Sequence, residues 1–144
     1  MEGRKMESLR VRDLMTPEVA TLQQNDKLTL AEDVMRLGRI RHLPVLDDEE
    51  ALVGIVSQRD LFRGALARAL GYGEHAHREV LDTVLVKEVM STDLFTAEPD
   101  TSLGEAARLM TEHKIGCLPV VEGGRLVGIL TEGDFVALVA RRGF

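Results

Sequence analysis

The hydrophobic pattern of this 144-residue chain occurs twice. The first copy has an apolar run at residues 40–45, a polar turn, and a second apolar run at 52–56 that contains one glycine. The second copy repeats this order at 115–120 and 126–130. In both copies a Ser or Thr follows the second run, and an Asp comes three residues later. The copies align with one residue deleted in the turn, which indicates an internal duplication.

The spacing of apolar positions predicts the elements of each copy. Short helical turns are expected at 11–15 and 86–90, and brief strands at 19–22 and 94–97. Apolar stripes predict helices at 28–37 and 103–113, with Asn25-Asp26 and Asp100-Thr101 as candidate N-caps. Val- and Leu-rich segments predict a pair of short strands in each copy, at 43–46 and 52–56 in the first. A closing helix follows Ser57 and Thr131.

Each copy therefore reads β-α-β-β-α, which combines a parallel strand pair with an antiparallel hairpin. The predicted fold class is α/β (α+β), with two repeats packed through their sheets in pseudo-twofold symmetry. We expect an N-terminal extension at 1–10, repeat 1 at 11–70, a linker with some helix at 71–85, and repeat 2 at 86–144.

Composition narrows the function classes. The formal net charge of −6 and the pI near 5.2 argue against nucleic-acid binding, which depends on Lys and Arg neutralising phosphates. No apolar run is long enough for a membrane span, and the first residues do not resemble a secretory signal. The single cysteine, Cys117, fits a reducing compartment. The expected location is the cytoplasm, with no nucleic acid or membrane partner.

The strand-to-helix junctions at Ser57–Asp60 and Thr131–Asp134 are the candidate sites. Free N–H groups and the helix dipole favour an anion such as phosphate at a helix N-terminus. A carboxylate three residues further on can accept hydrogen bonds from a ribose diol. Gly54 and Gly128 would let a ligand or a strand approach closely. A capping box that needs no ligand explains the same pattern, so both interpretations stay open.

Other polar residues give weaker signals. A small metal-dependent enzyme would need His75, His77 or His113 to converge with carboxylates. The sequence contains no nucleophile–base–acid set and no glycine-rich phosphate loop. We therefore expect no enzyme activity, no catalytic residues and no metal site.

The combined motifs resemble a tandem pair of cystathionine-β-synthase (CBS) domains, a Bateman module. The resemblance rests on Ile-x-x-Leu-Pro-Val, Leu-Val-Gly-Ile and Ser/Thr-x-x-Asp, each set preceded by Val-x-x-x-Met, over about residues 11–70 and 86–140. It implies a stand-alone regulatory module with ligand clefts between the repeats. The implied ligand contacts lie at Thr21, Ile40, Arg41, His42, Pro44, Ser57, Arg59 and Asp60, and then at Thr96, Ile115, Gly116, Cys117, Pro119, Thr131 and Asp134.

The resemblance implies no cofactor but a regulatory ligand: AMP, ADP, ATP or S-adenosylmethionine. Binding is expected to shift the conformation of the module or of a homodimer, and an effector protein would receive the signal. Arg41, His42 and Arg59 in the first copy become Gly116, Cys117 and Gly133 in the second, so unequal sites are expected; Lys114 and Arg125 would compensate only partly. The alternative is a ligand-independent interaction or dimerisation module.

Overall fold

The computed structural model describes residues 8–69 and 77–143. In chain order, its elements are α1 (Val11–Leu14), β1 (Leu22–Gln23), α2 (Leu28–Gly38), β2 (His42–Leu46), β3 (Leu52–Ser57), α3 (Gln58–Ala69), α4 (His77–Leu81), α5 (Val86–Val89), α6 (Leu103–His113), β4 (Cys117–Glu122), β5 (Arg125–Thr131) and α7 (Glu132–Arg142). This mixture of helices with small sheets confirms the α+β class.

The chain forms two compact units. The central unit is Ala20–Leu94, and the terminal unit combines Met1–Val19 with Phe95–Phe144. The units differ from the two sequence copies because the entry segments are exchanged. The first entry helix, α1, belongs to the terminal unit, and the second, α5, belongs to the central unit.

The central unit contains the sheet β1-β2-β3. β1 runs parallel to β2, with Leu22 opposite Val45, because α2 crosses over between them. β3 returns antiparallel, with His42 opposite Ser57. On its other side, Ile55 of β3 bridges Ser91 in an antiparallel sense. Ser91, two residues after the entry helix of the second copy, therefore adds an isolated bridge to the sheet of the first copy.

The terminal unit has a similar arrangement, but within the described ranges its sheet has only the two strands β4 and β5. β4 and β5 are antiparallel, with Cys117 opposite Thr131. The predicted strand at 94–97 contributes a single parallel bridge, from Ala97 to Val120. On the other side, Thr16 bridges Ile129. The exchange of entry segments is thus reciprocal.

Apolar stripes place the helices on their sheets. In α2, Leu28, Ala31 and Met35 are buried, as the spacing predicts for one helical face. Leu103, Ala106 and Met110 occupy matching positions in α6. The central core is Leu22, Leu28, Ala31, Met35, Leu43, Val45, Val56, Leu61, Leu81, Val84 and Val86. The terminal core is Val11, Ala97, Leu103, Ala106, Met110, Leu118, Val120, Leu130 and Leu138.

Both predicted N-caps were wrong by one or more residues. Lys27 caps α2 without a side-chain bond, whereas Asp26 accepts a hydrogen bond from the Gln23 backbone. Ser102 is the N-cap of α6, and its hydroxyl oxygen accepts a hydrogen bond from the Glu105 backbone N–H at 3.1 Å. The Thr101 hydroxyl oxygen instead accepts a hydrogen bond from the Glu98 backbone N–H, in the turn before the helix. The Asp26 and Thr101 side chains each form a hydrogen bond within the turn that precedes the helix, so the next residue is the N-cap.

Both helices end at a left-handed residue. Arg39 has φ 54° after α2, and Lys114 has φ 53° after α6. The next residue returns a backbone hydrogen bond to the helix: Ile40 to the Met35 carbonyl, and Ile115 to the Met110 carbonyl, each at 3.0 Å. This C-cap reverses the chain and directs it into β2 or β4. None of the helices in the described ranges combines the length and apolar character that crossing a bilayer requires.

Candidate ligand site

A reciprocal capping box occupies the junction of β3 and α3 in the central unit. The Ser57 backbone N–H donates to Asp60 Oδ2 at 2.8 Å, and the Asp60 backbone N–H donates to Ser57 Oγ at 3.1 Å. Because Ser57 Oγ is an acceptor in this pair, its own hydroxyl proton is left to donate elsewhere. Both residues are only half-buried. The capping interpretation is therefore correct in geometry, and it leaves part of each side chain accessible.

The corresponding junction of β5 and α7 is bonded differently. The Thr131 backbone N–H donates to Asp134 Oδ2 at 2.8 Å, as in the other unit. The Thr131 hydroxyl, however, also donates to Asp134 Oδ2, at 3.2 Å. Its proton is thus engaged within the cap. Among the described residues, neither Asp60 nor Asp134 receives a hydrogen bond at its other oxygen, Oδ1.

The segment before each Leu-Pro strand lies against the capping box of its own unit. The Arg41 carbonyl accepts a hydrogen bond from the Gln58 backbone N–H at 2.8 Å, and His42 is opposite Ser57 in the sheet. In the terminal unit, the Gly116 carbonyl accepts from the Glu132 N–H at 3.1 Å. These bonds hold residues 41–42 and 116–117 beside the first helical turn.

The remaining predicted contacts lie further along the sheets. Pro44 and Pro119 are buried within β2 and β4. Thr21 directly precedes β1, on the other side of β2 from Ser57, and it is level with Pro44 whereas Ser57 is level with His42, so the two are separated by more than two strand spacings, that is by more than about 10 Å. Thr96 precedes Ala97, whose N–H donates to the Pro119 carbonyl at 3.0 Å. Ile40 and Ile115 are half-buried after the left-handed turns.

All predicted positions of one copy thus lie in one unit. The structure brings together Arg41, His42, Ser57, Arg59 and Asp60 in the central unit, and Gly116, Cys117, Thr131 and Asp134 in the terminal unit.

The two junctions differ in the charged residues that surround them. Arg41 and Arg59 are exposed, and neither guanidinium forms an ion pair or hydrogen bond with another residue of the described ranges. At the terminal junction the residue matching Gln58 is Glu132, an acidic residue that the Ser/Thr-x-x-Asp motif does not predict. Arg125 does not compensate for it, because it begins β5 opposite Glu122 and lies at the far end of that strand from Thr131.

The environment of Cys117 reflects this difference. Burial, and then the negative charge of Glu132, raise the pKa of the Cys117 thiol to about 12. The thiol stays protonated and behaves as a small apolar side chain. The position that holds His42 in the central unit therefore holds a neutral, buried group in the terminal unit.

Glycine has a packing role upstream of each junction. A Cβ on Gly54 would lie 2.5 Å from Met90 Sδ and 3.0 Å from the Ser91 carbonyl oxygen. A Cβ on Gly128 would lie 2.6 Å from Met15 Sδ and 3.1 Å from the Thr16 carbonyl oxygen. Of the two roles considered for these glycines, the structure shows close approach of a strand, and that strand is the exchanged entry segment.

The histidines considered as metal ligands do not converge in the described ranges. His113 stacks on Phe95 with ring centroids 3.8 Å apart, and no group of three or more candidate ligands occurs among the residues searched. His75 and the side chain of His77 lie outside the described residues.

The CBS domain family model matches residues 11–67 and 86–141. The chain belongs to the CBS domain family and carries two copies of the domain. Protein YhcV of Bacillus subtilis is 34% identical over 124 residues, which cover 86% of this chain and 81% of YhcV. Uncharacterized protein MJ1404 of Methanocaldococcus jannaschii is 34% identical over 138 residues, and the match covers 94% of this chain but only 33% of that longer protein.

Solved structures share the fold. A putative acetoin utilization protein (AcuB) from Vibrio cholerae has a TM-score of 0.79 and 38% identity, over 93% of this chain and 92% of its own. CBSX2 in complex with AMP has a TM-score of 0.74 and 31% identity, over 94% and 98%. The CBS domain pair of MJ0100, in complex with 5′-methylthioadenosine and S-adenosyl-L-methionine, has a TM-score of 0.75 and 27% identity, over 93% and 98%.

Proposed function

We propose that this protein is a non-catalytic regulatory module that binds an adenosine-containing ligand at its strand-to-helix junctions. The observation that carries the proposal is the partly accessible capping box at each junction. At each junction an aspartate beside a helix N-terminus has one carboxylate oxygen that receives no hydrogen bond from the residues the structure describes. CBSX2 with AMP and MJ0100 with 5′-methylthioadenosine and S-adenosyl-L-methionine support the ligand class.

The geometry provides for the two polar parts of such a ligand. Asp60 Oδ1 and Asp134 Oδ1 are acceptors for ribose hydroxyls. The first-turn N–H groups of α3 and α7 and the positive end of each helix dipole favour a phosphate or carboxylate. The segments at 40–42 and 115–117, held beside these turns, would line the base. The sheet residues Thr21 and Pro44 in the central unit, and Thr96 and Pro119 in the terminal unit, would line the bottom of each ligand site.

Regulation would follow from a population shift. A ligand that contacts one arrangement of the module more favourably than another stabilises that arrangement by its differential affinity. An effector protein that recognises the favoured arrangement would then receive the signal.

Thermal unfolding with a ligand panel tests the proposal. A ligand at a hundred times its Kd stabilises the folded state by about 2.7 kcal/mol. This raises the Tm of a chain of this size by about 5–10 °C. The panel contains AMP, ADP, ATP, S-adenosylmethionine and 5′-methylthioadenosine, with GMP as the control. A shift confined to adenosine compounds and reduced in Asp60→Asn or Asp134→Asn supports the proposal, and a flat response at millimolar concentrations refutes it.

A second candidate function, self-association, is favoured by exposed apolar side chains on the closing helices. Phe62 on α3 is 65% exposed, and Val136, at the matching position of α7, is 68% exposed. On α7, Val139 lies one turn from Val136 and is 45% exposed, and adjoining exposed apolar side chains of this kind are typical of interfaces. Light scattering after size exclusion tests this: a dimer that dissociates in Phe62→Glu or Val136→Glu supports it, and a monomer at every concentration refutes it.

A further inference from the structure

We propose that the two junctions are specialised for different adenosine ligands: the central junction for ligands with a phosphate tail, and the terminal junction for ligands whose tail is uncharged or cationic. This inference rests on the proposed function, since it assigns ligand classes to the same two sites.

Fixed charge is the first argument. Around the central junction, residues 40–44 and 57–60 contain Arg41, Arg59 and Asp60, a formal charge of +1 with His42 neutral. Around the terminal junction, residues 115–119 and 131–134 contain Glu132 and Asp134, a formal charge of −2. Arg39 and Lys114 occupy equivalent left-handed positions and do not distinguish the units. A phosphate would thus be attracted at one junction and repelled at the other.

The hydroxyl groups give a second, independent argument. Ser57 Oγ accepts from the Asp60 N–H, so its proton can be donated to a phosphate oxygen. The Thr131 hydroxyl already donates to Asp134 Oδ2. A phosphate at the terminal junction would have to break that bond before it gained the same donor.

The surroundings of Cys117 agree with these two arguments. The negative charge of Glu132 is felt at this thiol, whose pKa it helps to raise. The same field repels a phosphate, attracts a cationic sulfonium and does not penalise a neutral thioether. Gly133 takes the place of Arg59 and leaves room there, because a Cβ on Gly133 would meet only Thr131 Oγ1, at 3.6 Å.

Two single-site proteins separate the junctions. Asp134→Asn leaves the central site, and Asp60→Asn leaves the terminal site; both are made in the full chain. Calorimetry then measures the Kd of ADP and of 5′-methylthioadenosine, which share the adenosine group but differ in tail charge. We expect the central site to prefer ADP by about tenfold or more, and the terminal site to bind 5′-methylthioadenosine at least as tightly as ADP.

Variants that change the charge at one junction test the specialisation directly. Arg41→Gln with Arg59→Gln should weaken ADP at the central site by about ten- to a hundredfold and change 5′-methylthioadenosine by less than about threefold. Glu132→Gln with Gly133→Arg should strengthen ADP at the terminal site. Arg36→Ala, an exposed arginine on α2, controls for a general loss of positive charge and should leave both Kd values unchanged.

The possible failures differ. Equal ranking of the two ligands at both sites, or an equal effect of the arginine replacements on both ligands, overturns the specialisation and leaves the proposed function standing. If neither ligand binds the unmodified protein, the proposed function and the specialisation are both refuted.

Discussion

Replacing Gly128 with alanine tests how closely the exchanged entry segment packs on β5. The added Cβ would lie 2.6 Å from Met15 Sδ, 3.1 Å from Met15 Cγ and 3.1 Å from the Thr16 carbonyl oxygen. The methionine tip can move, but the carbonyl oxygen is fixed, because Thr16 and Ile129 exchange backbone hydrogen bonds at 2.9 and 3.0 Å. The strain therefore cannot be relieved by a side-chain rotation alone.

The magnitude follows from two opposing contributions. Overpacking in a close-packed region costs about 1–3 kcal/mol. Replacing glycine with alanine at an unstrained backbone returns about 0.4–1 kcal/mol by restricting the unfolded chain. Because the fixed carbonyl oxygen prevents relaxation, the overpacking cost falls in the upper half of its range, about 2–3 kcal/mol. The net loss is therefore about 1–2.6 kcal/mol, which lowers Tm by roughly 4–10 °C for a chain of this length.

A double-mutant cycle with Met15→Ala isolates the contact. Shortening Met15 removes the nearest atoms, so the two changes together should cost less than the sum of the single changes, by about 1 kcal/mol. Gly104→Ala is the matched control: Gly104 is exposed in α6, and a Cβ there would meet only Arg108 at 3.5 Å. Helix propensity predicts that this variant gains about 0.5–1 kcal/mol. Unchanged stability in Gly128→Ala, or additive effects with Met15→Ala, would refute the packing argument.

Three further predictions concern other parts of the molecule. Leu81→Ala should cost about 2–5 kcal/mol by chemical denaturation, because Leu81 of α4 is fully buried in the central core; a loss under 1 kcal/mol would show that α4 is not docked. Cys117 should resist iodoacetamide at pH 8 in the native protein and react once unfolded. The raised pKa also makes the free energy of unfolding depend on pH. The protonated thiol contributes fully to this free energy below pH 8–9, and the contribution declines as pH rises towards 12, because the thiol of the unfolded chain ionises at a lower pH than that of the folded chain. Cys117→Ser should lack that decline. Arg78→Ala should cause a small, salt-sensitive loss of Tm, since the ion pairs of Arg78 with Glu32 and Asp33 are partly exposed; the hydrogen bond from Arg78 also lowers the pKa of Asp33.

Local pattern was sufficient to predict the helices and hairpins. The stripe of Leu28, Ala31 and Met35 placed α2 within one residue of its observed end, and the same reasoning gave the bounds of α6. Alternation and turn residues likewise located the antiparallel pairs that present Ser57 and Thr131. These elements are set by contacts between residues close in sequence, which a single sequence records.

The exchange of entry segments could not be predicted in this way. Val11 and Val86 are apolar residues at matching positions, and their pattern is the same whichever sheet they pack against. Gly54 and Gly128 predict only that a ligand or another chain segment approaches the strand, and the structure shows that this segment contains Met90 or Met15. Partner choice over long sequence separation depends on tertiary packing, which no local pattern encodes.

At the candidate site, residue types were predictable and bonding was not. Both capping boxes follow from Ser/Thr-x-x-Asp, yet the different use of the Ser57 and Thr131 hydroxyls appears only in three dimensions. The motif does not predict a role for Glu132, because the positions that the motif fixes are its neighbours Thr131 and Asp134. The sequence signal for Glu132 is the difference from Gln58 at the matching position of the first copy.

The exchanged entry segments also set an order of assembly during synthesis. The central unit is continuous from Ala20 to Leu94, so all of it leaves the ribosome before the terminal unit is complete. The terminal unit needs α1, which precedes the central unit in the chain, and α7, which follows it and ends at Arg142. Because a domain folds once its last parts have emerged, α1 must wait until the whole central unit and α7 have been synthesised. Val11, the first fully buried residue of the terminal core in chain order, is therefore made early and buried late.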